Sequence, residues 1–111
     1  MIPYGRQNIS DSDIESIVRV LKSDYLTQGP VLPEFEESIC KYTEASYAVA
    51  VNSGTAALHL ALMALNLQST DEVIVTTMSF AASANAIVYC GAKPIFCDIQ
   101  EDTMNIDPCK L

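Results

Sequence analysis

The sequence predicts an α/β fold built on a parallel sheet, and three observations carry that reading. Two amphipathic helix patterns come first, and a strand, helix, strand, helix and strand follow in turn, the order that lays strands side by side with helices between them. The strand runs are short and apolar, whereas the runs between them have helical spacing or helix-forming composition. Half of the 111 residues are hydrophobic and 18% are charged, a globular balance in a chain long enough for one small domain.

The first helix is announced by Ser10, with Asp11, Ser12 and Asp13 supplying a cap and negative charge at its start. Ile14, Ile17, Val18 and Leu21 make one apolar stripe, and Lys22 suits the last turn. Residues 24–30 read as a loop punctuated by Gly29 and Pro30. Pro33 suits the first position of a second helix, with Glu34, Glu36 and Glu37 in its opening turns and Phe35, Ile39 and Tyr42 facing the core. Residues 47–51 read as a buried strand, and residues 56–65 as a helix of high intrinsic propensity. A second strand over 73–76, a helix over 81–89 closed by Gly91, and a third strand over 94–97 complete the pattern. Asp107-Pro108 is a helix-start signal with only Cys109, Lys110 and Leu111 after it, so the sequence reads as truncated.

The charge balance narrows the function classes. A net charge of −8 without any Lys/Arg cluster argues against a nucleic-acid backbone or an anionic membrane as partner. No apolar run is long enough to span a bilayer, and the N-terminus shows no signal-peptide pattern, so a cytoplasmic address is expected. In that compartment Cys40, Cys90, Cys97 and Cys109 are expected as reduced thiols, with Cys40 and Cys90 acting as small core hydrophobes. His59 has no second imidazole or paired thiolate at ligand spacing, so no zinc or other metal site is read, and no catalytic role is given to it.

Three groups of residues offer chemistry. At Ser53-Gly54-Thr55 a strand passes into a helix whose unpaired N–H groups and positive dipole end suit a phosphate, with Gly54 allowing close approach and Thr55 adding a hydroxyl. On the tripeptide alone an ordinary helix cap is the simpler reading. Neither a Walker loop nor a dinucleotide fingerprint is present. Phe80 follows the second strand, at the edge where α/β proteins bind ligands, and its ring suits a flat heteroaromatic compound as well as it suits a core position. Tyr4 and the loop residues Asp24, Tyr25, Leu26 and Thr27 suit a sugar or nucleotide, although surface and loop-closing roles fit them on composition alone.

In combination these segments resemble a known family. The run Asn52-Ser53-Gly54-Thr55-Ala56-Ala57-Leu58-His59-Leu60 resembles the phosphate-binding segment of the DegT/DnrJ/StrS sugar aminotransferases, a branch of the fold-type I pyridoxal-phosphate enzymes. Met78-Ser79-Phe80-Ala81-Ala82-Ser83-Ala84-Asn85-Ala86 is similar to that family's next motif, and Leu26-Thr27-Gln28-Gly29-Pro30 with Phe35-Glu36 to its N-terminal signature. The resemblance implies that residues 1–111 are an N-terminal segment and an incomplete part of the three-layer α/β/α large domain, without the small C-terminal domain. It implies pyridoxal 5′-phosphate as cofactor, with Ser53, Gly54 and Thr55 at the phosphate and Phe80 stacked on the ring. Tyr4, Asp24, Tyr25, Leu26 and Thr27 match positions that contact a nucleotide sugar, glutamate is the usual amino donor, and the family's dimers imply a homodimeric parent. The family's cofactor-bonding lysine and its aspartate partner of the pyridine nitrogen match no residue here. None of Lys22, Lys41, Lys93 and Lys110 sits in the lysine motif, so the chain alone is expected to be inactive. The same resemblance places the first strand away from the second and third, beside a strand that this sequence does not contain.

Overall fold

In the computed structural model residues 5–111 are described, so Tyr4 lies outside the described residues. The chain forms two compact units, one ending at Ala50 and the other spanning Val51–Leu111.

The first unit holds helices α1, Asp11–Leu21, and α2, Val31–Thr43. Ser10 caps α1 by a reciprocal pair: its hydroxyl accepts the Asp13 N–H at 3.3 Å, and the Asp13 carboxylate accepts the Ser10 N–H at 2.8 Å. The Ser10 hydroxyl also donates to the same carboxylate at 2.7 Å, and the two bonds from Ser10, the amide's first, hold the Asp13 carboxyl below the usual aspartate value. Helix α2 begins at Val31, two residues before the expected start, which puts Pro33 third in the helix. The shift is tolerated because the third N–H of a helix has no intrahelical acceptor to lose.

Two expectations fail in this unit. Phe35, Ile39 and Tyr42 do not face a core: Tyr42 is 89% exposed, Phe35 and Ile39 are exposed too, and no residue of either helix is buried. An amphipathic stripe specifies that a face needs covering, not what covers it. Residues 47–51 are not a buried strand either. They belong to no ladder, and Tyr47 is 90% exposed. A strand exists through its partner's backbone groups, and among the described residues no segment pairs with this one. The bond made there is from the Ala50 N–H to the Glu36 Oε1, 2.8 Å.

The second unit holds α3, Gly54–Ala64; β1, Glu72–Thr76; α4, Ala82–Tyr89; and β2, Lys93–Cys97. β1 and β2 pair in parallel with Ile74 opposite Ile95, and α4 forms the crossover, packing on both strands and on α3. The core is small: Val75, Ile87 and Ala92 are buried, with Leu62, Leu67, Val73 and Ala84 against them. Cys90, expected as a core hydrophobe like Cys40, is half-buried, as Cys40 is.

Gly91 ends α4 as expected. The Ala92 N–H reaches the Ile87 carbonyl at 3.2 Å and the Gly91 N–H the Val88 carbonyl at 2.9 Å, while Gly91 takes φ +80°. A side chain would cost about 1–2 kcal/mol in that left-handed conformation. Because Ile87 and Ala92 are both core residues, the helix stop also sets where β2 begins.

Beyond β2 the chain turns back through a bridge between Ile99 and Ile106 to a short 3-10 turn, Pro108–Lys110. Asp107 caps that turn as the sequence indicates, its carboxylate accepting the Cys109 N–H at 3.0 Å. Lys110 closes it onto the strand end through a 2.9 Å bond to Asp98. That bond and the Ile99 N–H hold the Asp98 carboxyl below the ordinary aspartate value, and Asp98 raises Lys110. A carboxyl depressed on folding contributes stability above its unfolded pKa and loses it as pH falls through the folded one. The closure should therefore open in acid. Lys110→Met should move the Asp98 titration midpoint, followed by NMR, upward toward the ordinary aspartate value; an unmoved midpoint would show that Lys110 does not hold this carboxylate.

Candidate functional site

Thr55 and Phe80 lie 25 residues apart in sequence, yet both line one cleft of the second unit. The cleft has a volume of about 550 Å³, and Gly54, Leu58 and Ser83 share its lining. Its floor is the opening turn of α3. The Ser53 hydroxyl accepts the Ala56 N–H at 3.1 Å and the Ser53 carbonyl the Ala57 N–H at 3.0 Å. The amides of Gly54 and Thr55 remain without an acceptor among the described residues. Nothing lies within 4 Å of where a Gly54 side chain would stand, so the approach to those amides is open.

The electrostatics favour an anion at this mouth. Helix α1 carries Asp11 and Asp13 in its first turn and α2 carries Glu34, but α3 has no acidic residue there. In a chain of net charge −8, that leaves the positive end of the α3 dipole uncompensated by its own first turn.

Phe80 is 80% exposed among the described residues. Its place is set by the backbone. The Ser83 N–H donates to the Phe80 carbonyl at 3.0 Å, and the Ser79 and Ser83 hydroxyls meet at 2.9 Å across the same turn. Ser83, with Leu58 and Ala82, lines the cleft without having been a sequence candidate. Its signal was present in the i, i+4 spacing of Ser79 and Ser83 around a loop-to-helix junction.

Asp24, Tyr25, Leu26 and Thr27 lie in the first unit. The Tyr25 N–H donates to the Ser23 hydroxyl at 3.3 Å, and that hydroxyl donates to the Val20 carbonyl at 2.7 Å, tying the loop to the end of α1. Tyr25 lines a cleft with Arg19, Ser23 and Glu34, whereas Asp24, Leu26 and Thr27 are not part of that lining. Gly29 is required here by close approach, because a Cβ on it would stand 2.6 Å from the Tyr25 Cβ.

This is a parallel α/β unit with a cleft past the carboxyl end of its first strand, the edge where sheets of this class commonly hold ligands. The chain belongs to the DegT/DnrJ/EryC1/StrS aminotransferase family, whose model matches residues 7–111. It is 44% identical to the spore coat polysaccharide biosynthesis protein SpsC of Bacillus subtilis, over 99% of this chain and 28% of that protein. It is 46% identical to the UDP-4-amino-4,6-dideoxy-N-acetyl-beta-L-altrosamine transaminase of Campylobacter jejuni, over 100% of this chain and 29% of that one. Among solved structures, Spr1654 of Streptococcus pneumoniae in its PLP form superposes with a TM-score of 0.88 at 40% identity, over 96% of this chain and 27% of that one. Its PMP form gives 0.90 at 38% identity, over 98% and 28%. The fold expected from the sequence, part of a fold-type I transferase domain, is the fold that this neighbour shows over the matched region. The chain spans less than a third of the length of these relatives.

The Gly29 contact gives a direct test of the loop. Gly29→Ala should displace Tyr25 and shift the amide resonances of residues 23–29 while leaving those of the second unit in place. Unchanged Tyr25 resonances would mean that the close approach does not hold the loop.

Proposed function

We propose that this chain supplies the phosphate and ring contacts of a pyridoxal-phosphate-dependent aminotransferase that acts on a nucleotide-linked 4-keto-6-deoxy sugar. The observation that carries the reading is the single cleft that joins the α3 mouth to Phe80. The residues present fit the group. Two amides without acceptors, the Thr55 hydroxyl and an acid-free first turn suit a phosphate dianion. Ser53 sits just behind them, and its hydroxyl organises the turn through Ala56. The exposed Phe80 ring offers a flat apolar face to a pyridine.

Bound pyridoxal phosphate supplies the electron sink through which an amino group is moved. This chain's part is to anchor and orient. Gly54 and Thr55 would hold the phosphate of that group and Phe80 would lie against its ring, so that together they would fix its position. No lysine here lies in a segment resembling the family's lysine motif, so we assign the chain no proton-transfer base, and the isolated polypeptide should not turn over. Asp24, Tyr25, Leu26, Thr27 and Tyr4 are assigned to the nucleotide sugar, glutamate to the amino donor, and a cytoplasmic homodimer to the whole enzyme. The pseudaminic-acid type of amino sugar is favoured by the 46% identity to the altrosamine transaminase, although the 44% identity to SpsC keeps other sugar nucleotides close behind.

Pyridoxamine 5′-phosphate and inorganic phosphate, titrated separately into the labelled chain, test the reading. Both should perturb the Gly54 and Thr55 amides. Phe80→Ala should weaken the pyridine compound by about 2- to 10-fold while leaving phosphate unchanged, because the ring's contribution is stacking alone. Perturbations spread away from α3, or equal losses for the two ligands, would contradict it.

A further inference from the structure

The loop that carries Phe80 is fastened to the fold on both sides of the ring. On the strand side the Thr77 N–H donates to the Cys97 carbonyl at 3.0 Å, and the Met78 N–H reaches the Thr76 hydroxyl at 3.4 Å. On the helix side the Asn85 N–H donates to the Ala81 carbonyl at 3.0 Å. Ala81, at the start of α4, makes no side-chain capping bond, so the hydroxyl or carboxylate that usually fixes a helix entry is missing here. Met78 and Phe80 are exposed, so little packing steadies the stretch between these fastenings.

The contact that spans Phe80 is made by two serines. The Ser79 and Ser83 hydroxyl oxygens lie 2.9 Å apart, and the Ser83 N–H donates to the Phe80 carbonyl at 3.0 Å. Among the described residues no other side-chain bond crosses this position. The backbone bond ties only the carbonyl side of Phe80 to α4. The hydroxyl bond ties the residue before it as well, and so does the work of the absent cap. We propose that Ser79 and Ser83 are positioning residues for Phe80, their hydroxyl bond fixing where the ring stands in the cleft lined by Gly54 and Thr55. The inference rests on the cofactor reading above and adds two residues that act through the ring and not on the phosphate. A ring held in place before the ligand arrives loses less freedom on binding, and that difference appears as affinity.

Dissociation constants for pyridoxamine 5′-phosphate and inorganic phosphate, read from the Gly54 and Thr55 amides of the full chain, test the clamp. Ser79→Ala and Ser83→Ala should each weaken the pyridine compound by about 2- to 5-fold, the scale of one weak hydroxyl bond, and leave phosphate unchanged. The double variant should lose no more than either single one, because both remove the same bond. In a Phe80→Ala background neither change should cost anything further. Ser83→Thr keeps the hydroxyl and should bind as the parent does. Ser79 is exposed, so Ser79→Ala keeps the fold if Ser83→Ala does not. Unchanged affinity in Ser79→Ala, equal losses for phosphate, losses that persist without the Phe80 ring, or a loss shared by Ser83→Thr would overturn the clamp and leave the cofactor reading standing. Affinity for the pyridine compound that ignores Phe80→Ala would instead sink that reading, and the clamp with it.

Discussion

Parallel strands cannot be joined by a tight turn, and the second unit is organised by that constraint. Pairing Glu72–Thr76 with Lys93–Cys97 requires a crossover, and Ala82–Tyr89 provides it with the apolar Ala86 and Ile87 turned inward. The crossover has to start just past the end of the first strand, so the loop carrying Phe80 is placed at that edge of the sheet. Packing of α3 against α4 then brings the acid-free helix mouth to the same place. The cleft follows from strand pairing together with one helix-to-helix contact.

Much of this was legible because it is written in local chemistry. Ser10 with Asp13, Ser53 before an alanine-rich run, and Gly91 after Cys90 each mark a helix end through short-range hydrogen bonds that a sequence displays directly. The β1–α4–β2 order was equally plain from alternating apolar runs. The convergence of Thr55 with Phe80 was legible only through resemblance to a family, since 25 intervening residues carry no local signal of contact.

The failures have one physical source. The apolar character of Phe35, Ile39, Tyr42, Tyr47 and Val49 signals surfaces that need partners, and among the described residues those surfaces are exposed. Strand identity at 47–51 depends on a ladder partner in the same way, and β-branched composition cannot supply one. Ser83 was overlooked for the opposite reason: a lone serine in an alanine-rich helix looks inert until its partner Ser79 and its place beside Phe80 are seen.

The account rests on the geometry of one cleft. Through-space NMR contacts between the Phe80 ring protons and the side chains of Thr55 and Leu58 test that geometry most directly. The account predicts cross-peaks from the ring to this first turn of α3. A ring that shows contacts only within its own loop, and none to Thr55 or Leu58, would contradict it.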